Sequence, residues 1–343
     1  MTCKPASVWR RLWPVFLSAV IVALIVACNG DDPPVGPEPA KDYVVYFNDG
    51  GFDDRYFRYH TGLNTVDTFT VPYASYDGLK ISADGMWLYL ANEEKTMVLS
   101  TDSLGIIAQL DYQSEHGVAV SPDNNLAALQ GDDGLFILNT ADFSLVYHDT
   151  VVVHNGVFSA DSKNFYAARL HEGVYVLELV GPTPAATTKS FPSFVWQVVP
   201  SQDQRKWLML VRHPLYACHW WFEVYEPGPD SSTFRDSVFQ YGYGDIVISP
   251  DGETAYYTMP GAPLFQCAGS PQSAFTVFNI EANAIDRIVS TDSIGVTSPF
   301  FPVGELAITP DGERLIAARG PVGGEFLVYD TKTMQLLDYF YLG

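Results

Sequence analysis

Basic residues are scarce in this sequence. Its 343 residues include 19 Lys and Arg against 40 Asp and Glu, which gives a formal net charge of −21. Residues 1–27 hold three of the basic residues and no acid, so a chain without them has 16 basic against 40 acidic side chains. A field of this sign repels nucleic acid and anionic lipid surfaces. We therefore expect no nucleic-acid partner. The negative charge either keeps the protein soluble or attracts cations or a basic partner.

Catalytic motifs are also missing. The sequence contains no Gly-x-Ser-x-Gly elbow, HExxH, P-loop or GxGxxG, and Cys218-His219 lacks the CxxCH spacing of covalent haem attachment. Apolar residues are plentiful at 47%, and aromatic residues reach 14%, a composition typical of a globular protein rich in β-sheet. These absences favour a non-catalytic binding or scaffolding protein over an enzyme, and no organic cofactor is expected.

The amino-terminal residues indicate export. Residues 1–11 carry three positive charges, and residues 12–27 form an unbroken apolar run that is short for a membrane span of about 20 residues. The run ends in Ile-Val-Ala-Cys, with the cysteine at Cys28, and this resembles the lipobox of bacterial lipoproteins. The resemblance implies cleavage before Cys28, lipid on its thiol and a firm membrane anchor. The alternative is an uncleaved anchor helix, and either way the rest of the chain is tethered in the cell envelope, outside the cytoplasm.

A linker and one domain follow the predicted signal of residues 1–27. Residues 28–41 contain four prolines and few apolar side chains, a composition typical of a flexible, partly extended spacer. Residues 42–343 form the predicted folded domain.

The domain is built from a repeat. One phrase recurs six times: an apolar strand, a short polar turn containing Asp, and a second strand. The spacing of the turn aspartates starts near 40 residues and lengthens later, and 40 residues suit one four-stranded blade of a β-propeller. The turn aspartates are Asp84, Asp123, Asp161, Asp203, Asp251 and Asp311.

An incomplete unit precedes the six complete ones. Residues 42–71 supply the second, third and fourth strands of a blade but no first strand. We therefore predict an all-β, seven-bladed propeller of four-stranded antiparallel blades, with a three-stranded first blade and no helix longer than two turns.

Two turn motifs point to known propellers. The Ser-Pro-Asp-Gly turn at 249–252 and the Asp-Thr-Lys-Thr turn at 330–333 resemble those of YVTN-type and lactonase-like seven-bladed propellers, and more loosely the heavy chain of quinoprotein amine dehydrogenases. The resemblance covers residues 42–343 and implies architecture rather than function. It supplies the alternative to a binding module, namely a propeller enzyme with its site at the channel mouth. Such an enzyme would be a lactonase-like hydrolase or a metal- or cofactor-dependent oxidoreductase.

The repeat distinguishes two faces of the propeller. The six Asp turns join first to second strands and define what we call the turn rim. The loops from second to third strands and from blade to blade define the opposite, loop rim, where long insertions at 212–221, 260–274 and 298–304 accumulate. Aromatic side chains in or beside these loops are predicted to bind a protein, peptide or glycan, the alternative being that they pack the loops onto the blades. They are Tyr216, Trp220, Trp221, Tyr241, Tyr243, Phe300 and Phe301.

A second candidate site surrounds the channel. Histidines and acids recur six or seven residues before the turn aspartates, just ahead of the inner strands, and should face the channel mouth. Such a ring has the ligands of a divalent metal site, or the groups of a general base, and otherwise forms a solvated polar rim. Its members are Asp77, His116, His154, Asp245 and Glu305.

The remaining cysteines predict one disulfide. Cys3 leaves with the signal and Cys28 takes lipid, so Cys218 and Cys267 form an even pair in an oxidising compartment. Both lie between the second and third strands of consecutive units, and their long loops allow a bridge. The alternative is two unpaired, buried thiols. We expect the domain to be a monomer.

Overall fold

The protein is a β-propeller. The computed structural model describes residues 22–25, 43–48, 55–63, 65–71, 78–91, 94–169, 172–181, 183–191, 193–212, 219–239, 244–259, 274–291, 303–319 and 325–341. These residues form seven antiparallel sheets, each a blade whose strands follow one another in chain order. They contain no helix, and therefore no helix that is long and apolar enough to cross a membrane. The predicted seven-bladed, all-β fold is confirmed.

The first three blades have these bounds. Blade one contains β1 (Val22–Ile25), β2 (Tyr43–Asn48), β3 (Arg55–His60) and β4 (Thr65–Thr70). Blade two contains β5 (Gly78–Ile81), β6 (Trp87–Ala91), β7 (Thr96–Ser100) and β8 (Ile106–Leu110). Blade three contains β9 (Gly117–Val120), β10 (Leu126–Gly131), β11 (Gly134–Asn139) and β12 (Leu145–Asp149).

The other four blades follow the same order. Blade four contains β13 (His154–Phe158), β14 (Asn164–Arg169), β15 (Gly173–Glu178) and β16 (Ala185–Lys189). Blade five contains β17 (Phe194–Pro200), β18 (Trp207–Arg212), β19 (His219–Glu226) and β20 (Ser231–Phe239). Blade six contains β21 (Ile246–Ile248), β22 (Thr254–Met259), β23 (Ala274–Asn279) and β24 (Ala284–Ser290). Blade seven contains β25 (Val303–Ile308), β26 (Arg314–Arg319), β27 (Glu325–Asp330) and β28 (Leu336–Tyr341).

The apolar core lies between the blades. The three inner strands of a blade are covered on both faces by its neighbours and most read as continuous apolar runs, as the largely buried β6 does. Fourth strands such as β8 face solvent and are mostly exposed. Between blades three and four, for example, Phe158 and Phe165 pack with Leu135 and Ile137. Similar clusters join the other adjacent blades, so each blade is stabilised by its two neighbours.

The first blade closes the ring. The region after residue 42 gives it three strands, as predicted. The inner position is taken by β1, which pairs antiparallel with β2 from Val22 opposite Tyr46 to Ile25 opposite Tyr43. Strand β1 contacts the inner strands of both neighbouring blades, β5 and β25. Side chains of β2 and β3 also reach blade seven, because the Tyr59 hydroxyl donates to Asp338 at 2.7 Å.

The turn rim repeats one hydrogen-bond pattern. In all six turns the Ser or Thr hydroxyl donates to the Asp two residues on, at 2.5–2.7 Å, and that Asp accepts the backbone N–H two residues further. The residue after each Asp has a positive φ of 58–77°. Glycine suits this conformation, but three turns use Asn124, Ser162 and Gln204.

The three turns that have no glycine at this position share one explanation. Asn124 Oδ1 accepts the N–H of Ala83 in blade two, and Ser162 Oγ accepts that of Asp123 in blade three. Gln204 Oε1 likewise accepts the Tyr166 hydroxyl of blade four. Each side chain thus links its turn to the preceding blade, and this bond offsets the cost of the left-handed backbone.

Candidate functional site: the channel mouth on the loop rim

The described members of the predicted ring fall into two clusters. His116 precedes β9 and His154 begins β13, and their ring centroids lie 4.0 Å apart. Asp245 precedes β21 and Glu305 lies in β25, where the two carboxyl groups interact electrostatically. Asp77 lies outside the described residues. The structure thus brings four of the five residues together as two pairs, and their assignment to a metal site at the channel mouth stays a prediction.

Bulges aim side chains at this end of the inner strands. The strand register shifts between His154 and Val157 in β13, between Val195 and Gln197 in β17, and between Val303 and Glu305 in β25. A bulge inserts an extra residue and turns neighbouring side chains, and it is common beside functional sites. These irregularities all occur toward the loop rim, away from the regular Asp turns.

The histidine cluster joins blades three and four. His116 Nε2 lies 2.8 Å from Asp132 Oδ1 in the loop between β10 and β11. The neighbouring Glu115 accepts the backbone N–H of Asp132 through Oε1 at 2.7 Å. Burial, and to a smaller extent the electrostatic interaction with His116, lowers the pKa of His154 to about 4. The His154 imidazole is therefore neutral near pH 7 and can pack against the His116 ring.

The acid cluster joins blades two, six and seven. Asp245 is 2% exposed and accepts three N–H groups: Gln197 Nε2 at 2.9 Å and the backbone of Ile246 and Leu306 at 2.8 and 3.0 Å. Its own N–H donates to Thr258 Oγ1 at 2.8 Å. This donor set fits a carboxylate, so Asp245 is a fixed acceptor at the centre of the cluster.

Glu305 has a different environment from Asp245. Its Oε2 atom is buried and has no hydrogen-bond partner among the described residues. Burial first, and the charge of Asp245 second, raises the pKa of Glu305 well above its usual value. Both effects disfavour the carboxylate, and a protonated Glu305 can both donate and accept a hydrogen bond.

Lys80 completes the acid cluster. It lies in β5 and is 6% exposed. Burial lowers the pKa of Lys80 to about 7, against the opposing effect of the Asp245 charge. Near neutral pH its ammonium group is therefore close to half-protonated, unlike an ordinary lysine.

Several residues of the channel mouth were missed by sequence reasoning. Lys80, Gln130 and Gln197 are buried polar side chains within apolar strands. The apolar strand Gly-Leu-Lys-Ile at 78–81 carried a usable signal, because a lysine inside a buried strand is rare without a role. Glu115 and Asp132 were also missed, since they lie outside the periodic position from which the ring was derived.

The predicted aromatic site falls largely on residues the structure does not describe: Tyr216, Tyr241, Tyr243, Phe300 and Phe301. The two others lie in β19 rather than in a loop. Trp220 is 8% exposed and packs edge-on against Trp196 at 6.1 Å. The Trp221 indole N–H donates to Glu223 at 2.9 Å, and the Arg235 guanidinium lies 4.8 Å from its ring centroid. Both tryptophans have internal packing partners, and their binding role stays a prediction. Cys28, Cys218 and Cys267 also lie outside the described residues, so lipidation and the disulfide stay predictions.

A groove of about 330 Å³ lies between blades three and four, further from the channel. It is lined by Asp149, Arg169 and Tyr175 among others. The hydroxyls of Tyr147 and Tyr175 lie 3.1 and 2.9 Å from Asp149 Oδ2, and Arg169 pairs with Glu172 at 2.8 Å. Because these polar groups satisfy one another, the groove is a weaker candidate than the channel mouth.

Comparison with known proteins identifies the fold. No protein-family model matches the chain, and no curated protein is similar in sequence. Among solved structures, hydrazine synthase of Kuenenia stuttgartiensis is 15% identical and superposes with a TM-score of 0.59 over 77% of this chain and 80% of that one. The Cps50 (Swd1) β-propeller domain of Myceliophteria thermophila is 10% identical, with a TM-score of 0.61 over 79% and 87%.

A third solved structure is similar over more of the chain. The dihydro-heme d1 dehydrogenase NirN, in complex with DHE, is 17% identical, with a TM-score of 0.56 over 95% of this chain and 79% of that one. Identities this low show a shared propeller fold and leave the function to be argued from the site. Membership of the YVTN-type or lactonase-like propellers stays a prediction.

Proposed function

We propose that this protein is a lipid-anchored propeller outside the cytoplasm that binds a protein, peptide or glycan at the channel mouth without transforming it. The anchor is supported by the positively charged start, the short apolar run and the Ile-Val-Ala-Cys ending at Cys28. The linker of residues 28–41 would hold the propeller off the membrane with its loop rim accessible.

The observation that carries the binding function is the unpaired Oε2 atom of Glu305. A buried polar atom without a partner costs about 1–3 kcal/mol. Folded proteins tolerate such a cost mainly where function requires it. A ligand group that enters the channel mouth would supply the missing hydrogen bond, and Asp245 and Lys80 would fix its orientation. The cluster best fits a ligand group that both donates and accepts hydrogen bonds and carries no negative charge.

Site-specific photo-crosslinking in cells tests this proposal. A photoreactive amino acid is placed at Asp133 on the loop rim or, as a matched control, at Asp142 on the turn rim of the same blade. Both positions are exposed. We expect an adduct from position 133 only, and its loss when Glu305→Leu is added, because leucine has neither a donor nor an acceptor. Equal adducts from both rims, or an adduct that does not respond to Glu305→Leu, would place the binding site elsewhere.

The anchor is tested separately. Cells expressing the wild-type chain or Cys28→Ala are labelled with a radioactive fatty acid and fractionated. We expect lipid label and membrane association in the wild type and neither in the variant. A labelled Cys28→Ala variant would contradict the lipobox interpretation without affecting the binding-site proposal.

One observation favours a catalytic alternative. The pKa of Lys80 is lowered to about 7 while that of Glu305 is raised, so two neighbours of Asp245 approach the range in which general acids and bases work. A panel of lactones and other hydrolysable esters, assayed with the wild type and with Lys80→Met, tests this. Turnover that Lys80→Met abolishes would establish an enzyme, and its absence in folded wild-type protein would favour the binding module.

A further inference from the structure

We propose that Glu115, His116 and Asp132 form a site for a first-row divalent cation of the zinc type at the loop rim of blade three. Among the described residues this is the group of His, Cys, Asp and Glu side chains whose ligand atoms come together, all within 4.8 Å of one another. It includes only His116 from the ring derived from the sequence, and it does not depend on ligand binding at Glu305.

The chain builds this site from two neighbouring segments. Glu115 and His116 immediately precede inner strand β9, and Asp132 lies in the tight loop between β10 and β11. The backbone joins the segments, because the His116 N–H donates to the carbonyl of Gln130 at 2.9 Å. The Glu115 carboxylate then receives the Asp132 N–H through Oε1. The ligands are therefore held on a rigid sheet end rather than on a free loop.

The second carboxylate oxygen of Glu115 is the atom that a bound ion would satisfy. Within the described part of the chain, Glu115 Oε2 is buried and has no hydrogen-bond partner, although Oε1 of the same carboxylate is bonded. Gly131 makes room for it, since a Cβ at this position would lie 2.9 Å from Oε2 and 2.7 Å from the Gln113 carbonyl oxygen. A metal ion would satisfy this oxygen, which no described protein group reaches.

The spacing of His116 Nε2 and Asp132 Oδ1 is compatible with a metal ion in place of the hydrogen-bonded proton between them. His116 Nε2 and Asp132 Oδ1 lie 2.8 Å apart and share a hydrogen bond. Around a tetrahedral zinc ion with bonds of about 2.0–2.2 Å, neighbouring ligand atoms are about 3.3 Å apart, so a small rotation of the exposed Asp132 side chain admits the ion. On binding, the proton on Nε2 moves to Nδ1, which gives the other tautomer of the neutral imidazole, and the Nε2 lone pair and the Asp132 oxygen both coordinate the cation.

The donor set selects the class of metal. One imidazole and two carboxylates suit zinc and its first-row neighbours, whereas calcium and magnesium prefer oxygen ligands alone. Three protein ligands leave one position of a tetrahedral ion open to water or to an oxygen of a bound molecule. The His154 ring packs against the His116 ring at an interplanar angle of 39° and restrains the imidazole.

Metal titration of the full chain in detergent tests the site. The protein carries an affinity tag without histidine, is stripped with a chelator and is titrated with Zn²⁺ by calorimetry and with Co²⁺ by visible absorption. We expect one ion per chain and a tetrahedral cobalt spectrum. Asp132→Asn and His116→Gln should weaken Zn²⁺ binding at least tenfold, because each removes one of three ligands.

Matched controls lie beside each ligand. Asp133→Asn alters the next residue of the same loop, and His148→Gln alters a histidine of the same blade that stacks on Phe136. Both should bind Zn²⁺ within twofold of the wild type. Absence of stoichiometric binding in the wild type, or equal affinity of Asp132→Asn and Asp133→Asn, would overturn the proposal. Because the Asp132 side chain is 78% exposed, Asp132→Asn should fold normally and keep the test decisive.

Discussion

The two rims of the propeller differ in how their carboxyl groups are hydrogen-bonded. On the turn rim, six Ser/Thr-x-Asp turns repeat the same bonds, and each described Asp is used within the fold. At the loop-rim ends of three inner strands the register shifts, and Glu115 and Glu305 each retain a buried oxygen without a hydrogen-bond partner among the described residues. The turn-rim aspartates are therefore held by bonds that stabilise the fold, whereas two carboxyl groups of the loop rim are buried at a cost that stability does not require.

We therefore expect substitutions at the channel mouth to raise the free energy of unfolding and the loss of a turn-rim bond to lower it. The largest effect is expected at Lys80. Lowering the pKa of a lysine from 10.5 to about 7 corresponds to at most about 5 kcal/mol of lost stability. We expect Lys80→Met to raise the free energy of unfolding by about 2–5 kcal/mol at pH 7. Urea denaturation measures it, with the exposed Lys163→Met on the turn rim as the control.

The pH dependence of this gain has a definite sign. Between pH 7 and pH 10.5 the unfolded chain binds a proton at Lys80 that the folded chain has released, so wild-type stability rises with pH in this window. The advantage of Lys80→Met should shrink correspondingly toward pH 10.5. A variant less stable than the wild type at pH 7 would mean that Lys80 is held by favourable contacts and that the two rims do not differ in this respect.

Glu305→Gln should give a smaller gain with the opposite pH dependence. Because the folded-state pKa of Glu305 is raised, its contribution to stability is complete below pH 4.5 and is lost as the pH rises through the folded pKa. We expect the advantage of the variant over the wild type to be larger at pH 8 than at pH 5. Denaturation at the two pH values measures this, with Glu313→Gln on the turn rim as the control.

On the turn rim we expect a loss of stability. Ser159 is buried, donates to Asp161 at 2.7 Å and accepts the N–H of Asn164 at 2.9 Å. Ser159→Ala removes both bonds and should cost about 1–3 kcal/mol in the free energy of unfolding, with no change in Zn²⁺ affinity. The exposed Ser144→Ala serves as the control. A neutral result would show that the repeated network contributes little to stability.

The smallest effect is expected for Ser162→Gly. Glycine relieves the left-handed backbone, with φ at 60°, but the variant loses the bond from the Asp123 N–H. Each change is worth about 1 kcal/mol, so we expect a net effect within about 1 kcal/mol by thermal denaturation. A large loss would mean that links between blades carry more of the stability than the turns themselves.

The fold was predictable because its turn motif repeats along the chain. The candidate site was harder to predict because its residues do not repeat from blade to blade. Each Asp turn is a local motif, so strand order and blade number could be read from the chain. The histidine cluster was partly predictable, because His116 and His154 occupy equivalent positions in adjacent units. In the acid cluster the sequence named Asp245 and Glu305 but not Lys80, because the approach of Lys80 depends on ring closure between distant blades and the position of Glu305 depends on the bulge at Gly304.

Strand β1 links the proposed signal segment to the completeness of blade one. Its residues, Val22–Ile25, pair with the inner edge of β2, yet they belong to the segment that the proposed cleavage before Cys28 would remove. In the proposed lipoprotein, the backbone edge of Tyr43–Asn48 would then lack this neighbour. Blade one would be complete only in the unprocessed chain, and the mature chain would carry one sheet edge open to an added strand.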